Sequence, residues 1–183
     1  MAPPTPRALV ITASDRASGG MYADKGGPVI IDALHAIGFD ADGPIVVPDG
    51  APVEVALRSG LEAAYDVIIT TGGTGLGPRD HTPQMTAQVL DYEVPGIAEA
   101  IRAAARVDVP TAVLGRGLAG VAGRTLIVNL PGSTGAVRDG MAVLTPILQH
   151  AVEQLAGSNH DGDHGDLSDH GGDPEHHGPG YQG

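Results

Sequence analysis

Between Asp66 and Gln84 the chain reads DVIITTGGTGLGPRDHTPQ, in which a β-branched apolar run gives way to Gly72, Gly73, Gly75 and Gly77 and then to Asp80. A glycine-rich turn leaving a strand can aim backbone N–H groups at an anion, and two familiar phosphate motifs are built that way. A Walker loop requires lysine directly after its second glycine. Gly72 and Gly77 have the required separation, but Pro78 occupies the lysine position. A dinucleotide fingerprint starting at Gly73 and Gly75 would need its third glycine where Pro78 stands. Neither motif is present. Two readings remain: an anion cradle opening a helix at Thr82-Pro83, or a tight strand-to-helix turn that needs glycine for its backbone angles.

Two acids accompany the turn. Asp49 ends the run ADGPIVVPD and Asp80 closes the glycine stretch. Either alone has the position of a turn or cap residue. Together beside a polyphosphate they would repel it, unless they hold Mg²⁺, which takes one or two carboxylates along with phosphate oxygens and water. A second anion site is suggested by NLPGSTGAVRD, where the chain turns at Pro131-Gly132 and Ser133-Thr134 open a helix whose free N–H groups favour phosphate; plain N-capping by Ser133 is the other reading. Two anion sites and a magnesium pair point to phosphoryl or nucleotidyl transfer. Arg16, Lys25, Arg79 and Arg138 are the nearby cations. His81 has no role that such chemistry requires and reads as an exposed loop residue. His35 and His150 have no partners at metal-ligand spacing.

These residues must be positioned by a scaffold. RALVITA (Arg7 to Ala13), ADGPIVVPD, DVIITT and RTLIVNL (Arg124 to Leu130) read as strands. GPVIIDALHAIGFD, with Pro28 early and Gly38 as its stop, APVEVALRSGLEAAY, and PGIAEAIRAAAR read as helices, and Pro146 is expected to begin a last one. The βαβαβ order implies parallel strands with right-handed crossovers. The expected fold is a three-layer α/β/α sandwich around a mostly parallel sheet, with ligands beyond the carboxyl ends of the strands. The segments SDRASGGMYADKGGP, PDG, TGGTGLGPRDHTP and NLPGSTGAVRD are therefore expected to converge on one crevice.

Composition bounds the remaining classes. The 183 residues, 42% of them apolar, suit one soluble domain. No apolar run reaches the length of a membrane helix and no signal peptide is evident at the start, so a cytoplasmic protein with no membrane association is expected. Zero cysteines exclude disulfides, thiolate metal ligands and cysteine nucleophiles. A net charge of −12 argues against a nucleic-acid partner. Half of that charge lies in the last 27 residues, which hold five Asp, one Glu, no Lys or Arg, and five histidines: His160, His164, His170, His176 and His177. The expected organisation is a flexible N-terminus over 1–6, a folded domain over 7–156 and a disordered His/Asp/Gly-rich acidic tail over 157–183. The tail reads as a solvated segment, or as a loose binder of Zn or Ni.

The segments SDRASGGMYADKGGP, VVPDG, TTGGTGLGPRDHTPQMT, DYEVPG and RGLAGVAGRTLIVNLPGS follow one another here in an order that resembles the molybdenum cofactor biosynthesis family, which includes molybdopterin adenylyltransferase. The resemblance covers roughly residues 7 to 156, and G-G-T-G-x-x-P-R-D-x-T-P is its most specific motif. It implies a homotrimer that uses Mg²⁺ and ATP to transfer AMP to the terminal phosphate of molybdopterin, releasing pyrophosphate, with a molybdenum insertase as a further partner. By motif position it implies that Ser14, Asp15, Gly72, Gly73, Thr74, Gly75 and Arg79 lie in the nucleotide and substrate crevice. It likewise places Asn129, Pro131, Gly132 and Ser133 at a phosphate, and makes Asp49 and Asp80 the essential, Mg²⁺-binding acids. The attacking phosphate arrives ionised, so no general base is required and catalysis reduces to positioning and charge neutralisation. Many relatives carry lysine where this chain has Gly135, which removes one phosphate contact. A non-catalytic molybdopterin carrier is the alternative. A nucleotide pyrophosphatase of the competence-damage-inducible type is a third reading, against which the S-D-R-A-S opening and the P-R-D-x-T-P ending argue.

Overall fold

A strand buried on both faces has no polar alternation, and the first strand shows why: its six residues after Arg7 are all buried, with Ala8 and Val10 on one side of the sheet and Leu9, Ile11 and Ala13 on the other. The computed structural model describes residues 4–157. In chain order it consists of β1 (Arg7–Ala13), α1 (Asp15–Ser18), α2 (Gly26–Ala36), β2 (Asp40–Val47), α3 (Ala51–Glu62), β3 (Val67–Thr71) and α4 (Thr82–Ala87). There follow β4 (Tyr92–Glu93), α5 (Pro95–Ala105), a 3₁₀ turn (Pro110–Leu114), β5 (Ala119–Ala122), β6 (Thr125–Leu130), α6 (Thr134–Leu144) and α7 (Leu148–Leu155). The expectations for the acidic tail beyond residue 157 and for residues 1–3 lie outside the described residues. Pro6, in the segment expected to be flexible, has a carbonyl that accepts from the Asp40 N–H at 2.9 Å.

The sheet order is β2-β1-β3-β6-β5-β4. The first four strands are parallel, as the βαβαβ pattern requires; β5 and β4 add antiparallel pairings at one edge. Two cores separate the three layers. Ile30 and Leu34 of α2, Ile101 of α5, Val137, Met141 and Leu144 of α6, and Leu148 of α7 pack on one face, against Val10, Ile69 and Val128. Val53, Ala56 and Leu57 of α3 pack on the other, against Leu9, Ile11, Ile68 and Ile127. Each fully buried aliphatic side chain contributes about 1.5–3 kcal/mol. No helix among the described residues is long and apolar enough to cross a membrane.

One detail departs from expectation, and one irregularity accompanies the sheet. Pro146 does not begin the last helix: α6 continues to Leu144, and residues 145–147 form a turn with Ile147 as the N-cap position of α7. Pro44, inside the β2 run, falls where the β1 register slips from Leu9↔Asp42 to Ile11↔Ile45. A residue without an N–H is tolerated there because β2 is an edge strand and the irregularity relieves it of a ladder bond.

Candidate functional site

From β1 the chain moves to β2 on one side and later to β3 on the other, so the carboxyl ends of β1 and β3 diverge into a crevice. A cavity of about 450 Å³ lies there, and all four expected segments reach it: Ser14, Asp15, Arg16 and Lys25 from the first, Asp49 from the second, Gly72, Gly73, Arg79 and Asp80 from the third, Gly132, Ser133 and Thr134 from the last. Asp24, which was not singled out in the sequence, shapes its wall. One carboxylate oxygen accepts from the Gly26 and Gly27 N–H groups at 3.0 and 3.1 Å, capping α2; the other accepts from Thr12 Oγ at 2.7 Å. Tyr22, in the same loop, is hydrogen-bonded through its hydroxyl to Ser14 Oγ at 3.2 Å.

The glycine turn is sterically required. Gly72 has φ +95° and Gly73 φ +64°, and a Cβ at Gly72 would strike the Ala13 carbonyl oxygen. A Cβ on Gly73 would meet the Asp49 carboxylate and Thr82 Oγ. Gly132 brings the second turn against the first, its Cβ position only 3.2 Å from Gly72 Cα. Among the described residues, the amides of Gly73, Thr74, Gly75 and Leu76 donate no hydrogen bond, whereas their neighbours are engaged: Gly72 N–H with Leu130 O, and Gly77 N–H with Asp80 Oδ2. Glycine-only backbone geometry and uncommitted amide donors therefore coexist in the turn.

Arg116 holds this turn from behind; it opens the RGLAGVAGRTLIVNLPGS segment but was not among the expected site residues. Its Nε donates to Gly75 O at 2.7 Å, an Nη to Asp80 O at 2.6 Å, and its backbone N–H to Thr74 O at 2.9 Å.

The two acids differ in what they already bind. Asp49 Oδ1 accepts from the Gly50 N–H (2.7 Å) and Thr82 Oγ (2.9 Å), and Oδ2 accepts from the His81 N–H (3.0 Å). Its own N–H donates to Asp15 Oδ1 at 3.1 Å, while Asp15 Oδ2 lies 3.7 Å from an exposed Arg79 nitrogen. Asp80 has only the Gly77 bond, so Oδ1 is uncommitted. Among the described residues no group of three or more His, Asp or Glu is arranged to hold a metal. The residues present fit a cation of the Mg²⁺ kind, which needs only one or two carboxylates when phosphate oxygens and water complete its shell.

A second cavity, of about 590 Å³ and mainly apolar, adjoins the first and shares Gly73, Asp80, Gly132 and Ser133 with it. Thr74, Gly75, Asn129 and Pro131 line this one, together with Ala98, Ile101 and Leu114. Asn129 is almost fully buried and committed to the scaffold: Nδ2 donates to Thr70 Oγ and Thr86 Oγ at 2.9 Å each, and Oδ1 accepts from the Leu118 N–H at 3.0 Å. Ser133 caps α6, its Oγ accepting from the Ala136 N–H at 3.3 Å. Arg16, Lys25 and Arg79 line the polar cavity; Arg138 lines neither. Gly135 lies in the apolar cavity with nothing within 4 Å of its Cβ position. His81 is exposed at the N-cap position of α4 and contributes only its backbone to Asp49.

Comparison with known proteins accords with this geometry. A family model described as "Probable molybdopterin binding domain" matches residues 9–150. The molybdopterin adenylyltransferase of Helicobacter pylori is 35% identical over 81% of this chain and 87% of its own length. The molybdenum cofactor biosynthesis bifunctional protein of Chlorobaculum tepidum is 34% identical over 85% of this chain and 50% of its own length, so this chain spans about half of that relative. The solved molybdopterin biosynthesis Mog protein of Mycobacterium ulcerans superposes with a TM-score of 0.79 at 49% identity, over 85% of this chain and 99% of that one. With the family model covering both glycine turns and both acids, the chain belongs to the molybdenum cofactor biosynthesis family.

Proposed function

We propose that this protein transfers AMP from ATP to the terminal phosphate of molybdopterin, releasing pyrophosphate. The observation that carries the reading is the convergence of the glycine turn, the capped start of α6 and two carboxylates on one polar cavity beside an apolar one. Free amides of residues 73–76 bind phosphate oxygens, and Ser133 with the first amides of α6 positions a second phosphate group. Asp80, with Asp49 beside it, would hold Mg²⁺. The ion supplies charge neutralisation on the phosphates during the displacement. Arg16, Lys25 and Arg79 add positive charge around the same cavity. The chain has no need of a general base, since the attacking phosphate is already ionised.

Incubation with molybdopterin, ATP and Mg²⁺ tests this directly. Adenylylated pterin and pyrophosphate in equal amounts are the expected products. Tight pterin binding without product would favour a carrier, and hydrolysis of a free nucleotide would favour a pyrophosphatase. A homotrimer and a molybdenum insertase partner belong to the same proposal. Self-association is supported by the apolar groove on edge strand β2 and α3, where Ile45 is 43% and Val55 65% exposed. Light scattering giving a threefold mass is the expected result.

A further inference from the structure

The glycine turn lacks a Walker lysine, yet a cation is attached to it from the other side. Arg116 reaches the turn from the segment before β5 and takes three of its carbonyl oxygens, those of Thr74, Gly75 and Asp80. Two further carbonyls of the turn are occupied from within it. Gly73 O accepts from the Thr82 N–H at 3.2 Å, and Gly77 O from the Asp80 N–H at 3.0 Å. From Gly73 to Gly75 every carbonyl is thus drawn into the protein, while the four consecutive amides from Gly73 to Leu76 have no partner among the described residues, so this stretch presents donors.

The second observation concerns charge. Arg116 is partly buried, and its guanidinium is within 4.0 Å of no carboxylate among the described residues; the ion pairs there involve Arg7, Arg58 and Arg79. A partly buried, unpaired guanidinium is costly when its only partners are neutral carbonyls, and an anion across the turn would offset that cost.

We propose that Arg116 is the fixed cation of the glycine turn, a positioning residue that aims the amides of residues 73–76 at a phosphate group and sets its charge behind them. It takes the place of a Walker lysine by acting through the backbone and not by touching the ligand. The inference rests on the nucleotide-binding reading above.

The test measures binding of ATP with Mg²⁺, and of inorganic pyrophosphate, by calorimetry at low and moderate salt, in the wild-type protein, R116Q and R116K. Losing a charge-assisted hydrogen-bonding group that orients the amides predicts about 10- to 100-fold weaker binding of both probes in R116Q. The affinity should also become less dependent on salt. R116K keeps the charge and is expected within about fivefold of wild type. Wild-type protein that binds neither probe overturns the nucleotide reading and this inference together. Wild-type binding with R116Q equally tight, and an unchanged salt dependence, overturns this inference alone. Should R116Q fail to fold, R116K decides: folded R116K as weak as a hundredfold shows that the charge is not what the turn needs.

Discussion

Asp80 and Asp49 bind the same cavity wall, but their hydrogen bonds divide their burdens, and Asp80→Asn exposes the division. Asp80 Oδ2 accepts one bond, from the Gly77 N–H at 2.9 Å, while its backbone N–H and carbonyl are held by Gly77 and Arg116 independently of the side chain. An amide oxygen can still accept from Gly77. Exchanging a charged acceptor for a neutral one therefore costs about 0.5–1.5 kcal/mol of stability, which for a domain of this size lowers Tm by roughly 2–6 °C. The uncommitted Oδ1, by contrast, is the atom available to a Mg²⁺ ion. Removing the negative charge should slow AMP transfer on the order of 10²–10³-fold, the scale seen when one preorganised electrostatic group is lost. Pterin binding should change little. The assay pairs product formation by chromatography with a circular-dichroism melt, repeated across a magnesium titration in which the variant needs more metal. A variant that transfers AMP at the wild-type rate, or whose loss of rate merely follows its melted fraction, refutes the reasoning.

Asp49→Asn should damage the fold more than Asp80→Asn does. An amide has one accepting oxygen for three donors, Gly50 N–H, His81 N–H and Thr82 Oγ, so at least one is orphaned at about 1–3 kcal/mol, visible as a larger fall in Tm. Gly72→Ala imposes both a positive φ on alanine and a clash with the Ala13 carbonyl, and is expected to cost about 2–5 kcal/mol in chemical denaturation. Leu57→Ala, far from the cavity and fully buried on the α3 face, should cost about 2–5 kcal/mol while leaving ATP affinity in the folded protein unchanged by calorimetry.

What the sequence disclosed depended on how each residue does its work. β1, β3 and β6 were legible because strands buried on both faces are rich in apolar and β-branched residues, and the helices between them because their apolar positions recur at helical spacing. β5 was not legible. Gly120 must be glycine, its Cβ position being 2.5 Å from the Tyr92 carbonyl and 2.6 Å from a Leu90 methyl, and with two alanines beside it Val121 alone carries a branched side chain to announce the strand. β4, at two residues, has no periodicity to detect.

The same distinction applies at the site. Glycines and acids that must approach a ligand advertise themselves by type and spacing, and the four segments carrying them do meet at one cavity. Asp24 left a readable trace, an acid two residues before Gly26-Gly27-Pro28, where a side chain can reach the free N–H groups of a helix start. Arg116 stands at the head of a segment carrying the resemblance, but its role left no trace, because its partners are carbonyls, which every residue possesses, and they lie 36 to 42 positions earlier in the chain. A side chain that binds backbone needs no matching side chain elsewhere, so the residue types alone do not record the pairing. The lysine missing at Pro78 was the one indirect sign. On the proposed nucleotide-binding reading, a glycine turn lacking its own cation draws positive charge from elsewhere in the fold or from a metal, and this turn has a candidate for each: Arg116 behind the backbone, and the free oxygen of Asp80 in front of it.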